Sequence, residues 1–197
     1  MKPGVIFIIV IVIIPWVIMI FYMMARKKNV GKFFKKLQEK YSLTSDSTDP
    51  KHPEISGQYR SRAIKVETDT PEGKKKAGTV LKVACENPNG FTFTLVKRTK
   101  SNNPYYSQGS YMIEDKEFDD KFIAQTNDIE RLKRLFDFNT RFKLQQVSDL
   151  GFDGEIKLRG NTFTYYEPGM LSSDMSLMKL ELVLHELCDL ADVLKYN

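Results

Sequence analysis

The side chains able to do chemistry are few, and most of them stand on one stretch near the C-terminus. His52 and His185 are the only histidines, the groups that titrate near neutrality without help. His52 sits between Lys51 and Pro53 in a polar stretch. His185 has Glu181 four residues before it, Glu186 beside it, and Cys188 and Asp189 three and four residues after it. A helix would set these groups on neighbouring turns. Such a set offers a general base with acidic partners, or the start of a zinc site that needs one or two ligands from elsewhere. It also describes an ordinary charged helix surface with i, i+4 pairing, and that reading is preferred.

A second concentration, Glu114, Asp115, Glu117, Asp119 and Asp120, lacks the alternation and turn glycine of a calcium loop. It reads as a solvated turn anchored by Phe118 and Phe122. The two cysteines, Cys85 and Cys188, have no partners at metal-ligand spacing and read as buried thiols, although a disulfide between them stays open. No Gly-x-Ser-x-Gly, phosphate-cradling glycine loop, His-Glu-x-x-His or Cys-x-x-Cys occurs. The sequence therefore argues against an enzyme and names no catalytic residue, metal or cofactor.

The elements that must position these groups begin with Val5 to Ala25, twenty-one residues without a charge. As a helix this run is about 31 Å long, close to the ~30 Å hydrocarbon core of a bilayer. It exceeds a secretory h-region and ends without a small-x-small cleavage site. The expectation is a retained signal-anchor: a short tail at 1–4, a transmembrane helix at 5–25 bent near Pro15, and a single-pass protein in the cell membrane. Arg26, Lys27, Lys28, Lys32, Lys35, Lys36 and Lys40 follow, against Lys2 alone before it, which places the N-terminus outside and the rest cytoplasmic. The segment 26–41 is a basic amphipathic helix. Arg26, Lys27, Lys28, Lys32, Phe33, Phe34, Lys35 and Lys36 are its candidate membrane-surface contacts, with the Phe pair dipping toward lipid. The competing reading packs that helix on the domain.

With those cations set aside, Tyr41 to Asn197 carries 22 Lys and Arg against 24 Asp and Glu, which removes the electrostatic footprint of a nucleic-acid binder. Residues 42–53 read as a linker and 54–197 as one α+β domain, mostly antiparallel sheet with two packed helices. Ile55 to Asp69 reads as a strand. Thr79 to Glu86 and Phe91 to Arg98 alternate around Asn87-Pro88-Asn89-Gly90 and predict a hairpin. A second hairpin joins Phe152–Leu158 to Thr162–Glu167, with Ile156 and Leu158 facing Phe163 and Tyr165. Thr126-Asn127-Asp128 starts a helix. Met175 to Tyr196 forms a last one, apolar along Leu177, Leu180, Leu184, Leu187, Ala191 and Leu194 and widened by Leu182, Val183, Leu190 and Val193. Tyr105 and Tyr106 stand on a polar loop between the two hairpins.

Phe118-Asp119-x-x-Phe122, then Thr126-Asn127-Asp128, a hairpin ending Tyr165-Tyr166-Glu167-Pro168-Gly169 and the terminal Leu-rich helix together resemble bacterial single-pass membrane-linked domains of unknown function. The resemblance covers residues 111–195. It implies a bacterial membrane protein with an α+β domain and brings no catalytic residues. The expected function is protein interaction or scaffolding at a membrane, with the lipid bilayer and a protein partner, or a second copy bound through the C-terminal helix, as partners. The alternatives are a sensor of anionic lipid working through the basic helix, and a membrane-tethered enzyme with a pocket near His185.

Overall fold

The computed structural model describes residues 3–45, 47, 52–99 and 110–196, apart from the side chains of 3–13, 21–28, 110–111 and 196. Tyr105 and Tyr106 lie outside the described residues. Among the described residues, nine strands form one antiparallel sheet in the order β1-β2-β3-β4-β9-β8-β5-β7-β6. In chain order the elements are α1 (Pro3–Tyr41), β1 (Thr44–Ser45), β2 (Glu54–Tyr59), β3 (Arg62–Asp69), β4 (Gly78–Ala84), β5 (Phe93–Lys97) and β6 (Ser110–Tyr111). Then come α2 (Lys116–Lys121), β7 (Phe122–Thr126), α3 (Ile129–Leu135), α4 (Phe138–Asp149), β8 (Glu155–Arg159), β9 (Thr162–Pro168) and α5 (Asp174–Tyr196).

The expected transmembrane helix at 5–25 is overturned. No helix among the described residues is long and apolar enough to cross a membrane. The single-pass, signal-anchor and cell-membrane placement falls with it, as does the orientation with N-terminus outside and domain cytoplasmic. α1 is instead one helix of 39 residues with Pro15 inside it. Its C-terminal part belongs to the domain: Val30, Phe33, Phe34, Leu37 and Tyr41, an i, i+3, i+4, i+7, i+11 series, are all buried in the main core.

One sheet face carries that core. Ile64, Val66, Leu81, Val83, Leu95, Ile156, Leu158, Phe163 and Tyr165 project from it toward α5 and the end of α1. The opposite face carries a lattice of charges, in which Lys65 bridges Glu54 and Glu67, Lys82 reaches Glu67, and Lys74 and Lys157 both reach Glu155. An antiparallel sheet covered on one side alternates in this way. Burial works to raise Glu67 and Glu155, but the lysine ammoniums outweigh it and hold both below the ordinary glutamate range.

The sheet order corrects the expected hairpin at Asn87-Pro88-Asn89-Gly90. Both strands form, but β4 pairs with β3 and β9, while β5 pairs with β8 and β7. The β8–β9 hairpin is inserted between them. Its register, Ile156 opposite Tyr165 and Leu158 opposite Phe163, is the one the alternation predicts. The segment after β4 arches over the turn of that hairpin, held by Asn87: Nδ2 donates to Phe91 O and Gly160 O, both at 2.8 Å, and Oδ1 accepts from Phe91 N. Ile55–Asp69 is also two strands rather than one. They turn at Arg60-Ser61, both left-handed with φ of 51° and 60° and neither a glycine.

Candidate functional site

α5 collects the groups singled out from the sequence, because its buried stripe (Leu180, Val183, Leu184, Leu187, Ala191, Leu194) faces the core and turns the opposite line outward. On that outward line His185 lies between two tyrosines. Tyr41 Oη is 3.2 Å from Nε2 and Tyr59 Oη is 3.1 Å from Nδ1. The tyrosine rings meet edge to face at 5.0 Å. A neutral imidazole has one N–H and one lone pair, so one hydroxyl donates to the ring and the other accepts from it. Burial, then the Glu181 carboxylate, pushes the Tyr41 hydroxyl above the ordinary phenol value.

The acids around His185 are likewise committed. Glu181 pairs with Lys40 at 2.8 Å, and Asp189 with Arg60 at 2.6 Å and Lys143 at 2.8 Å. Asp192 pairs with Arg62. Burial pushes the Cys188 thiol up to about 11, and Cys85 likewise, which makes both unreactive at neutral pH. Among the described residues no group of three His, Cys, Asp or Glu could hold a metal. The arrangement does structural work: it clips α1, the β2–β3 turn and α4 to α5.

The acidic run at 114–120 is also structural, but it is not merely a solvated turn. Asp119 is 6% exposed, and its carboxylate accepts N–H bonds from Ile113, Glu114 and Asp115, holding Glu114 at φ 68°. Asp115, Asp128 and Asp137 cap α2, α3 and α4.

The proposed membrane-surface residues divide. Phe33 and Phe34 are 5% and 3% exposed and point into the core, so the Phe pair does not face outward. Lys36 is bound to Asp174 at 2.7 Å, Lys35 lies 3.7 Å from Glu39, and Lys32 is exposed. The side chains of Arg26, Lys27 and Lys28 lie outside the described residues.

Two features carry no sequence signal beyond their positions. Lys179 stands on the α5 flank nearest the sheet, 8% exposed, joined to Glu167 and donating to Gly151 O at 2.9 Å. Tyr165 donates to the other Glu167 oxygen at 2.8 Å. This network borders a cavity of about 120 Å³, large enough for water and too small for a substrate of ordinary size.

The other feature is apolar and external. On α4, Phe138 and Phe142 stack on each other with centroids 6.5 Å apart, 72% and 52% exposed. On the outward line of α5, Met175, Met178 and Leu182 recur at i, i+3, i+7, and all are exposed. α4 and α5 pack together, with Lys143 reaching Glu186 and Asp189. A lone exposed apolar residue needs no explanation, but a stacked, exposed aromatic pair on α4 together with exposed Met175, Met178, Leu182 and Val193 on α5 makes these helices a candidate contact surface.

No protein-family profile and no curated protein matches the chain. Among solved structures it is similar to the mycobacterial trehalose monomycolate transport factor A, TtfA. The TM-score is 0.52 at 11% identity, over 80% of this chain and 94% of that one, a likeness of fold.

Proposed function

We propose that the domain is a protein-interaction module which holds a partner chain on the outer face of α4 and α5. The observation that carries this reading is the stacked, solvent-facing Phe138–Phe142 pair on α4, with Met175, Met178 and Leu182 also exposed along α5. Aromatic and methionine side chains are the types enriched where interfaces bury area, and methionine adapts to an irregular partner. The partner that fits is a protein offering the apolar side of an amphipathic helix, anchored at i, i+3 or i+4 and i+7 spacing. The chemistry around His185 favours the same reading, since Glu181, Asp189 and the two tyrosines are engaged in holding the fold. TtfA, which shares the fold, is described as a transport factor, so this fold occurs in a protein whose name denotes no chemical reaction.

The test places a photo-crosslinking residue at Phe142 or Met178 and, as a control, at Ser56 on β2. The expected result is one identified protein joined from both helical positions and not from Ser56, and lost in the Phe138→Ser, Phe142→Ser double variant. Products of the chain with itself would show that the face binds a second copy instead. Equal labelling from all three positions, or none, would refute the reading.

A further inference from the structure

The register sets Val96 of β5 opposite Glu155 of β8, and Glu155 opposite Tyr166 of β9. These three side chains therefore stand in one row on the sheet face turned away from the core. The segment joining β3 to β4 is fastened to that row at three points. Tyr166 Oη donates to Lys76 O at 2.8 Å, Gly169 N donates to Ala77 O at 3.2 Å, and the Lys74 ammonium meets Glu155 Oε2 at 2.6 Å.

Strap and row together line a cavity of about 350 Å³. Its charged lining is four cations, Lys74, Lys75, Lys76 and Lys97, against two acids, Asp153 and Glu155. Lys157, which does not line the cavity, also meets Glu155. Two ammoniums on one carboxylate leave a positive surplus there, and they hold Glu155 below the ordinary glutamate range against its burial. Lys74 is the cation that a ligand can reach. Its side chain is 27% exposed, and its Nζ lies 5.3 Å from the centre of the Tyr166 ring. Glu155 and Tyr166 both line the cavity, so the ammonium they hold stands at its wall, with Glu155 taking one of its three N–H bonds.

An ammonium is a point charge without a fixed fork, so it favours an anionic head without demanding a planar pair of oxygens. The Tyr166 ring, Val96 and Pro168 add apolar wall, and the volume exceeds a bare anion. A molecule with one anionic head and a short apolar body meets both features. We infer that this cavity binds a small organic carboxylate, its head on the Lys74 ammonium and its body along Tyr166, Val96 and Pro168. The site shares no residue with the α4–α5 face and does not rest on it.

The full chain is titrated with octanoate, with octanol as the same body without the charge, and with inorganic phosphate as charge without the body. Binding is read by calorimetry and by the backbone amide signals of Gly154 and Val96, which line the cavity and separate it from the apolar helices. Saturable shifts at both amides are expected with octanoate, at an affinity about tenfold or more above either control. Lys74→Gln should weaken octanoate binding about tenfold or more. Lys157→Gln takes the other ammonium from Glu155 without touching the lining, and should bind within about threefold of the parent. The inference is overturned if octanoate does not saturate at these amides, if octanol or phosphate binds there as tightly, or if Lys74→Gln binds as the parent does. Equal losses in the two lysine variants would also overturn it, leaving Lys74 as a structural partner of Glu155 alone.

Discussion

Lys179 and Glu167 form a buried pair whose members depend on each other. Lys179→Met leaves a carboxylate with little access to water, and a loss of about 3–5 kcal/mol is expected. Adding Glu167→Gln should restore most of it, so denaturant midpoints of the single and double variants that fall together would contradict the pairing. Glu186 has the opposite character. It is 2% exposed, and Lys143 Nζ, at 3.0 Å, lies off the line of a good hydrogen bond. Burial raises its pKa against the pull of Lys143 and Thr140. A carboxyl raised on folding contributes stability that is complete below the ordinary glutamate value and is lost as pH climbs through the raised one. Glu186→Gln, which removes the buried charge, should therefore stabilise the protein at pH 7 by on the order of 1 kcal/mol. That advantage should vanish near pH 4, and a gap constant from about pH 4 to 7 would show that ionisation is not the cause. The His185 neighbourhood is legible in the sequence as far as its helix spacing goes. Tyr41 and Tyr59, which fill both ring nitrogens, come from distant elements and leave no mark beside it.

Among the elements, α1 shows how one helix carries two patterns. Its series Val30, Phe33, Phe34, Leu37 and Tyr41 is readable, but periodicity alone does not say whether an apolar stripe meets protein or something else. The core decides that here. Leu37→Ala, at 1% exposure, should cost about 2–5 kcal/mol, while Lys32→Ala should stay within about 0.5 kcal/mol. Unfolding curves for the two variants that shift equally would remove α1 from the core. The β2–β3 turn is hidden for a local reason: Arg60 and Ser61 take left-handed backbone without the Gly or Asn that announces such a turn. Asn87-Pro88-Asn89-Gly90 misleads for the converse reason. Turn chemistry specifies a reversal of direction and leaves the neighbour unspecified. Asn87 spends its amide on the Gly160 carbonyl, and the chain passes over β8–β9 rather than closing a hairpin.

For the whole molecule, the interposed hairpin makes the sheet a product of distant parts of the chain. β4 and β5 are joined only through β8 and β9, and α5 then covers the same core. A chain ending at Gly151 should lose cooperative unfolding, seen as a sloping melt without a midpoint, whereas a chain lacking only residues before Val30 should keep it. A sharp transition in the shorter chain would mean that the two halves of the sheet stand alone. Sheet content and most strand positions are readable from alternation; strand order is not, because it is fixed by pairings as remote as Thr79 with Glu167. The same order governs birth on the ribosome. The strands up to β7 emerge as two strips with bare edges, and β8–β9, the piece that zips them together, leaves the exit tunnel only after them. Until then the newborn polypeptide exposes hydrogen-bonding rims that invite chaperones, proteases or a neighbouring nascent chain.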